Sequence, residues 1–129
     1  MIKFRDNLFI GNYLEATSEE KLVENGITSV LNVAFEINNP IYNPERIASF
    51  KVGLMDNHQN PPFLINIALD TLAILLSGRE KVLIHCAAGV SRSVFVAVTV
   101  VSIMEDKEWQ DVLRELQEVY PIATQSPLF

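Results

Sequence analysis

The chain has 129 residues, 49% of them hydrophobic and 20% charged, which is enough for one buried core and too few for two. Sixteen acidic against ten basic side chains give a formal charge of −6, and this excludes a surface that attracts nucleic acid, anionic lipid or polyphosphate over long range. A single cysteine and two histidines rule out an internal disulfide and a zinc-ligand set of ordinary spacing. No metal or cofactor is expected, and the lone thiol indicates a reducing, cytoplasmic compartment.

In chain order, residues 1–10 carry Lys3, Arg5 and Asp6 and lack the apolar core of a signal peptide. Phe4 and residues 8–10 are predicted strands around an Asp6-Asn7 turn. Residues 17–20 fit a capping box that opens a helix, which Asn25-Gly26 closes. A strand over 28–34 follows, then a surface loop marked by Asn38-Asn39-Pro40 and Asn43-Pro44, then a strand over 49–55. Asn60-Pro61-Pro62 starts a helix over 63–76 that is apolar on nearly every side, so packing over most of its surface is expected.

Residues 81–85 read as a short apolar strand. Residues 94–104 are valine-rich, but their length and their place after a glycine-containing loop favour a buried helix; the run is too short to span a bilayer. In the last helix Trp109, Val112, Leu113, Leu116 and Val119 form one stripe, while Glu108, Gln110, Asp111, Arg114, Glu115 and Glu118 face water. Pro121 ends it. This alternation predicts a single α/β domain over residues 1–129, with a central, mostly parallel sheet flanked by helices on both faces. Ligand sites then fall at the carboxyl ends of strands.

Cys86 lies at such an end, within His85-Cys86-Ala87-Ala88-Gly89-Val90-Ser91-Arg92-Ser93. If residues 87–92 curl around one centre, the backbone N–H groups of Ala87, Ala88, Gly89, Val90, Ser91 and Arg92 make an anion nest, and the next helix adds its positive dipole end. Small residues let the backbone approach closely, and Gly89 can take a positive φ. Arg92 offers a fork for two phosphate oxygens that a lysine could not supply. The same field favours negative charge on the Cys86 sulfur, the form that attacks phosphorus. His85 is expected to order the loop backbone, and Ser93 to donate a hydrogen bond to the sulfur. A leaving oxygen needs a proton, and Asp56, after the strand over 49–55, is the candidate acid and later base. Asp70, within an apolar helix, is the rival carboxylate; His58 is read as a solvated loop residue.

The pattern His-Cys, two residues, Gly, two residues, Arg-Ser would arise by chance in a chain of this size on the order of 1 in 100,000 times. It resembles that of the small, atypical dual-specificity phosphatases of the cysteine-dependent protein tyrosine phosphatase superfamily. Residues 8–12, 26–34, the approach to Asp56, and Tyr120-Pro121-Ile122-Ala123 also resemble family segments, in family order. The resemblance implies a protein tyrosine phosphatase-like fold, with nucleophile, arginine and acid carried by Cys86, Arg92 and Asp56. The family commonly continues past the position of Phe129 with another helix, and Tyr120 and Ser126 stand where relatives often have an arginine and a loop-bracing asparagine.

The resulting expectation is a monomeric, metal-independent protein phosphatase. It would act on phosphotyrosine, and on phosphoserine or phosphothreonine, through a cysteinyl-phosphate intermediate, with no nucleic-acid or membrane partner. A phosphoinositide or RNA 5′-triphosphate phosphatase ranks lower, because the loop offers no lysine or second arginine for further phosphates. A non-catalytic phospho-binding scaffold is the alternative of a different class. Oxidation of an exposed Cys86 thiolate could not be trapped as an intramolecular disulfide, for want of a second cysteine.

Overall fold

The computed structural model describes residues 1–56 and 59–124. The Asp6-Asn7 turn folds β1 (Ile2–Arg5) antiparallel onto β2 (Leu8–Gly11). The other strands, β3 (Ser29–Ala34), β4 (Ala48–Leu54) and β5 (Val82–His85), pair parallel to give the order β1-β2-β5-β3-β4. β5 is therefore the central strand. Its four residues are all buried, as parallel strands covered on both faces require. Val82 and Ile84 enter the larger core, while Leu83 turns to the opposite face to meet Phe9, Leu22, Ile27 and Val30.

The larger core is closed by α2 (Pro62–Ser77), α3 (Arg92–Glu105) and α4 (Trp109–Val119); α1 (Glu19–Glu24) covers the other face through Leu22. This is the fold class read from the strand and helix alternation. α3 is the central helix: from Arg92 to Val98 every side chain is buried, and Val100, Val101 and Ser102 are buried further on. Burial on all sides through Val98 explains a helix start without a polar face, and tertiary packing overrides the strand preference of its valines; the expected burial ends at Ser102, since Ile103 and Met104 in the last turn are exposed. None of the helices among the described residues is long and apolar enough to cross a membrane.

Three local expectations are corrected. The capping box does not form, because Thr17 Oγ1 donates to the Leu14 carbonyl at the end of a 3₁₀ turn (Glu15–Thr17), and Ser18 is the N-cap of α1 without a side-chain bond. α2 buries only Ile65, Ala68, Leu72, Leu75 and Leu76; Phe63, Ile67 and Ile74 are exposed, since α2 meets the sheet and α3 on one side alone. In α4 the stripe holds through Leu116, whereas Val119 points to solvent at the last turn. The stop of α1 follows the sequence reading. Gly26 takes φ +76°, the Ile27 N–H reaches the Leu22 carbonyl at 3.0 Å, and the Gly26 N–H reaches that of Val23 at 2.9 Å.

Candidate active site

The segment from Cys86 to Ser91 leaves the end of β5 and turns directly into α3. Its carbonyls are held from outside. The Ala87 carbonyl accepts the Tyr13 N–H at 3.1 Å, and the Val90 carbonyl accepts the Thr124 N–H at 3.0 Å and hydroxyl at 3.2 Å. Gly89 sits at φ +73°, where a Cβ would come within 2.6 Å of the Gly11 carbonyl oxygen and 2.8 Å of the Tyr120 hydroxyl. Only glycine fits there, on both conformational and steric grounds. Burial raises the Tyr120 phenol pKa, and charge at Cys86 adds to the effect.

Cys86 is 2% exposed, which corrects the expectation of an exposed thiol: at the end of the central strand the residue is packed into the larger core. Ser93 Oγ is 3.3 Å from Cys86 Sγ. His85 is fully buried; its Nδ1 lies 3.1 Å from the Cys86 carbonyl, and because a carbonyl can only accept, Nδ1 carries the proton. Burial lowers the His85 pKa, which keeps the ring neutral, and Nε2 has no hydrogen-bond partner among the described residues.

Arg92 opens α3 and is 3% exposed. Its Nη1 donates to Glu36 Oε1 at 2.7 Å and to the Leu54 carbonyl at 2.8 Å, while Nη2 donates to Glu36 Oε2 at 2.6 Å. The hydrogen bonds from Arg92 hold the Glu36 carboxyl well below the usual range, at about 2. Arg92 Nε is buried without a hydrogen-bond partner among the described residues and stands 4.0 Å from Asp56 Oδ1.

Asp56 follows β4, is 56% exposed, and accepts a hydrogen bond from the Ser91 hydroxyl at 3.0 Å. Its loop is pinned by the buried Asn60, whose side-chain amide accepts the Met55 N–H at 2.7 Å and donates to the Met55 carbonyl at 2.6 Å. Asp70 lies instead on the exposed face of α2. The readings of His58 and Ser126 fall outside the described residues.

Sequence reasoning missed Glu36, Leu54 and the loop role of Asn60. One signal was available for Glu36, a charged residue just past the end of β3 on the sheet edge that also carries Cys86 and Asp56. Chemically, the assembly offers a thiol, a half-satisfied guanidinium and a carboxyl around one centre, together with loop N–H groups and a helix start. It is a set suited to a tetrahedral dianion.

Residues 8–120 match the family described as the dual specificity phosphatase, catalytic domain. The chain belongs to this family. Among curated members of related sequence, protein phosphatase Slingshot homolog 3 of Homo sapiens is 32% identical over 126 residues, covering 95% of this chain and 18% of that protein. Dual specificity protein phosphatase 22 of Xenopus tropicalis is 35% identical over 117 residues, covering 88% and 53%. The phosphatase-family domain thus spans about half, or less, of the length of these relatives. Its fold matches the crystal structure of DUSP15 with a TM-score of 0.86 at 24% identity, over 99% of this chain and 81% of that one.

Proposed function

We propose that this dual specificity phosphatase domain, over residues 1–129, hydrolyses phosphomonoesters on proteins through a cysteinyl-phosphate intermediate. The observation that carries the reading concerns three groups from separate elements: Arg92 Nε at the start of α3, unpartnered among the described residues, the Asp56 carboxyl 4.0 Å from it after β4, and Cys86 after β5, whose charge acts on the Arg92 guanidinium.

In the first step the Cys86 thiolate attacks phosphorus, the bond from phosphorus to the ester oxygen breaks, and Asp56 gives its proton to that oxygen. Arg92 and the N–H groups of residues 87–91 stabilise the charge spread over the equatorial oxygens. In the second step the Asp56 carboxylate takes a proton from water, the water oxygen attacks phosphorus, and the phosphorus–sulfur bond breaks. The Ser93 hydroxyl, 3.3 Å away, stabilises the returning thiolate.

The substrates are phosphorylated proteins, with phosphotyrosine and phosphoserine or phosphothreonine side chains accepted. The domain works as a cytoplasmic monomer without metal, cofactor, nucleic-acid or membrane partner. Cys86→Ser should abolish hydrolysis of an aryl phosphate measured without added metal; parent-like turnover would sink the mechanism. Strong preference in a substrate panel for polyphosphorylated lipid or RNA 5′ ends would reverse the choice of substrate class.

A further inference from the structure

Phe35 is 62% exposed, whereas Phe4, Phe9 and Phe95 are buried. A single apolar side chain on a loose surface loop calls for no explanation, but this one is held still. The Ile37 N–H reaches the Ala34 carbonyl at 3.3 Å, closing a turn whose two corner residues are Phe35 and Glu36. Buried Asn32 braces the turn: it accepts the Ala34 N–H at 2.9 Å and donates to the Ile37 carbonyl at 2.7 Å. From β4, Lys51 Nζ donates to the Phe35 carbonyl at 3.0 Å and to the Ile37 carbonyl at 2.6 Å. The side chain has a seat as well. A Cβ on Gly53 would come within 3.0 Å of Phe35 Cα, 3.3 Å of its Cδ2 and 3.4 Å of its Cβ, so a glycine at this point of β4 leaves room for the ring.

The turn stands beside the phosphate site. The Phe35 N–H donates to the Leu54 carbonyl at 3.0 Å, and the same oxygen accepts Arg92 Nη1 at 2.8 Å. One oxygen therefore separates the Phe35 backbone from the guanidinium assigned to phosphate. On the other side of Leu54 comes Met55, 38% exposed, directly before Asp56. Phe35 and Met55 thus give this border of the site exposed apolar surface. The charged groups next to them in the chain, Glu36 and Asp56, are carboxyls more than half exposed, and the Lys51 amine is spent on the carbonyls of the turn. An acidic side chain next to a phosphorylated residue would meet like charge here. An apolar one would cover the Phe35 ring and remove both surfaces from water.

We propose that Phe35 is a specificity-determining residue, whose ring receives an apolar side chain adjacent to the phosphorylated residue of a protein substrate. The assignment deepens the phosphatase reading above and rests on it for its effect on turnover, but its effect on binding is separable. Phosphate itself is held by the loop and Arg92, so an ester without flanking residues draws nothing from the ring.

The test compares the parent, Phe35→Ala and Phe35→Leu on a small aryl phosphate and on phosphotyrosine peptides that carry leucine, serine, glutamate or lysine on both sides of the phosphotyrosine. Binding of the same peptides is measured by calorimetry in Cys86→Ser, with and without Phe35→Ala. The parent should prefer the leucine peptide. Phe35→Ala should raise KM for that peptide about fivefold to tenfold with kcat little changed, and leave the serine peptide and the aryl phosphate as in the parent. Phe35→Leu should recover part of the loss. A parent without preference for leucine over serine overturns the proposal. So do equal losses on every substrate, the aryl phosphate included, which would make Phe35 a support of the turn, and a loss confined to the lysine peptide, which would make the ring a cation site. A parent that hydrolyses no phosphomonoester, while Phe35→Ala still weakens binding of the leucine peptide alone, would reject the phosphatase reading and support this one.

Discussion

The loop from Cys86 to Ser91 and the residues that flank it, 35–39 on one side and Met55, Asp56 and Asn60 on the other, meet at one sheet edge but are built in different ways. The central loop is shaped by backbone: Tyr13 and Thr124 N–H groups hold its carbonyls, and Gly89 is wedged against Gly11. The flanking segments are shaped by side chains, with Asn32 and Lys51 bracketing one and Asn60 clasping Met55 in the other. A backbone-built loop fails when a side chain is added. A side-chain-built loop fails when one is removed.

Adding one methyl group at Gly89 should therefore have the largest effect on the central loop. Gly89→Ala forces a non-glycine residue to φ +73° and sets a Cβ 2.6 Å from the Gly11 oxygen; the backbone term alone costs about 1–2 kcal/mol. Phosphate binding should be lost and the melting temperature should fall by about 5 °C or more. Intact phosphate affinity in this variant would break the contrast. Next is Asp56→Ala, which should slow hydrolysis by about 10²-fold with a poor leaving group and much less with a good one; equal losses for both would remove Asp56 as the acid.

Asn60→Ala tests the side-chain-built segment without touching the acid. It leaves the Met55 N–H and carbonyl without their partner, a cost of about 1–3 kcal/mol, and should lower turnover of the poor leaving group by about tenfold, in the same leaving-group-dependent manner as Asp56→Ala. A uniform loss across leaving groups would mean that the clasp serves stability alone.

The smallest effect concerns pH. Glu36 has its carboxyl depressed from 4.5 to about 2 in the folded chain, so its pair with Arg92 contributes stability above the unfolded value that disappears as pH falls through about 2. Half-exposure of Glu36 keeps that contribution small. Acid unfolding followed by circular dichroism should show Glu36→Gln losing less stability than the parent between about pH 4.5 and 2; identical acid profiles would refute the linkage.

These contrasts also explain what could be read from the chain alone. The central loop is contiguous, so its residue types and spacing were legible together, from His85 through Ser93. β5 and α3 were legible because burial on both faces or all sides leaves an uninterrupted apolar run. Glu36 was marked only by its place after a strand on the site's sheet edge, because its partner lies 56 positions away and residue type alone does not separate it from a solvated carboxylate. Thr17 looked like a cap because the capping pattern is local, yet a 3₁₀ turn claimed its hydroxyl. The exposed side of α2 was hidden for another reason: apolar content reports what a helix can bury, and neighbouring elements decide how much of it is covered.

The contact between Gly11 and Gly89 joins positions more than half the chain apart. Tyr13 and Ala87 repeat the link beside it, and Tyr120 and Thr124 close the far side from near the end of the described chain. A loop whose sequence is entirely local thus acquires its shape from distant segments, so its formation carries the loop-closure entropy of a high-contact-order assembly. Recovery of enzymatic activity during refolding would then trail the appearance of helical signal and mark the moment at which both ends of the chain have docked.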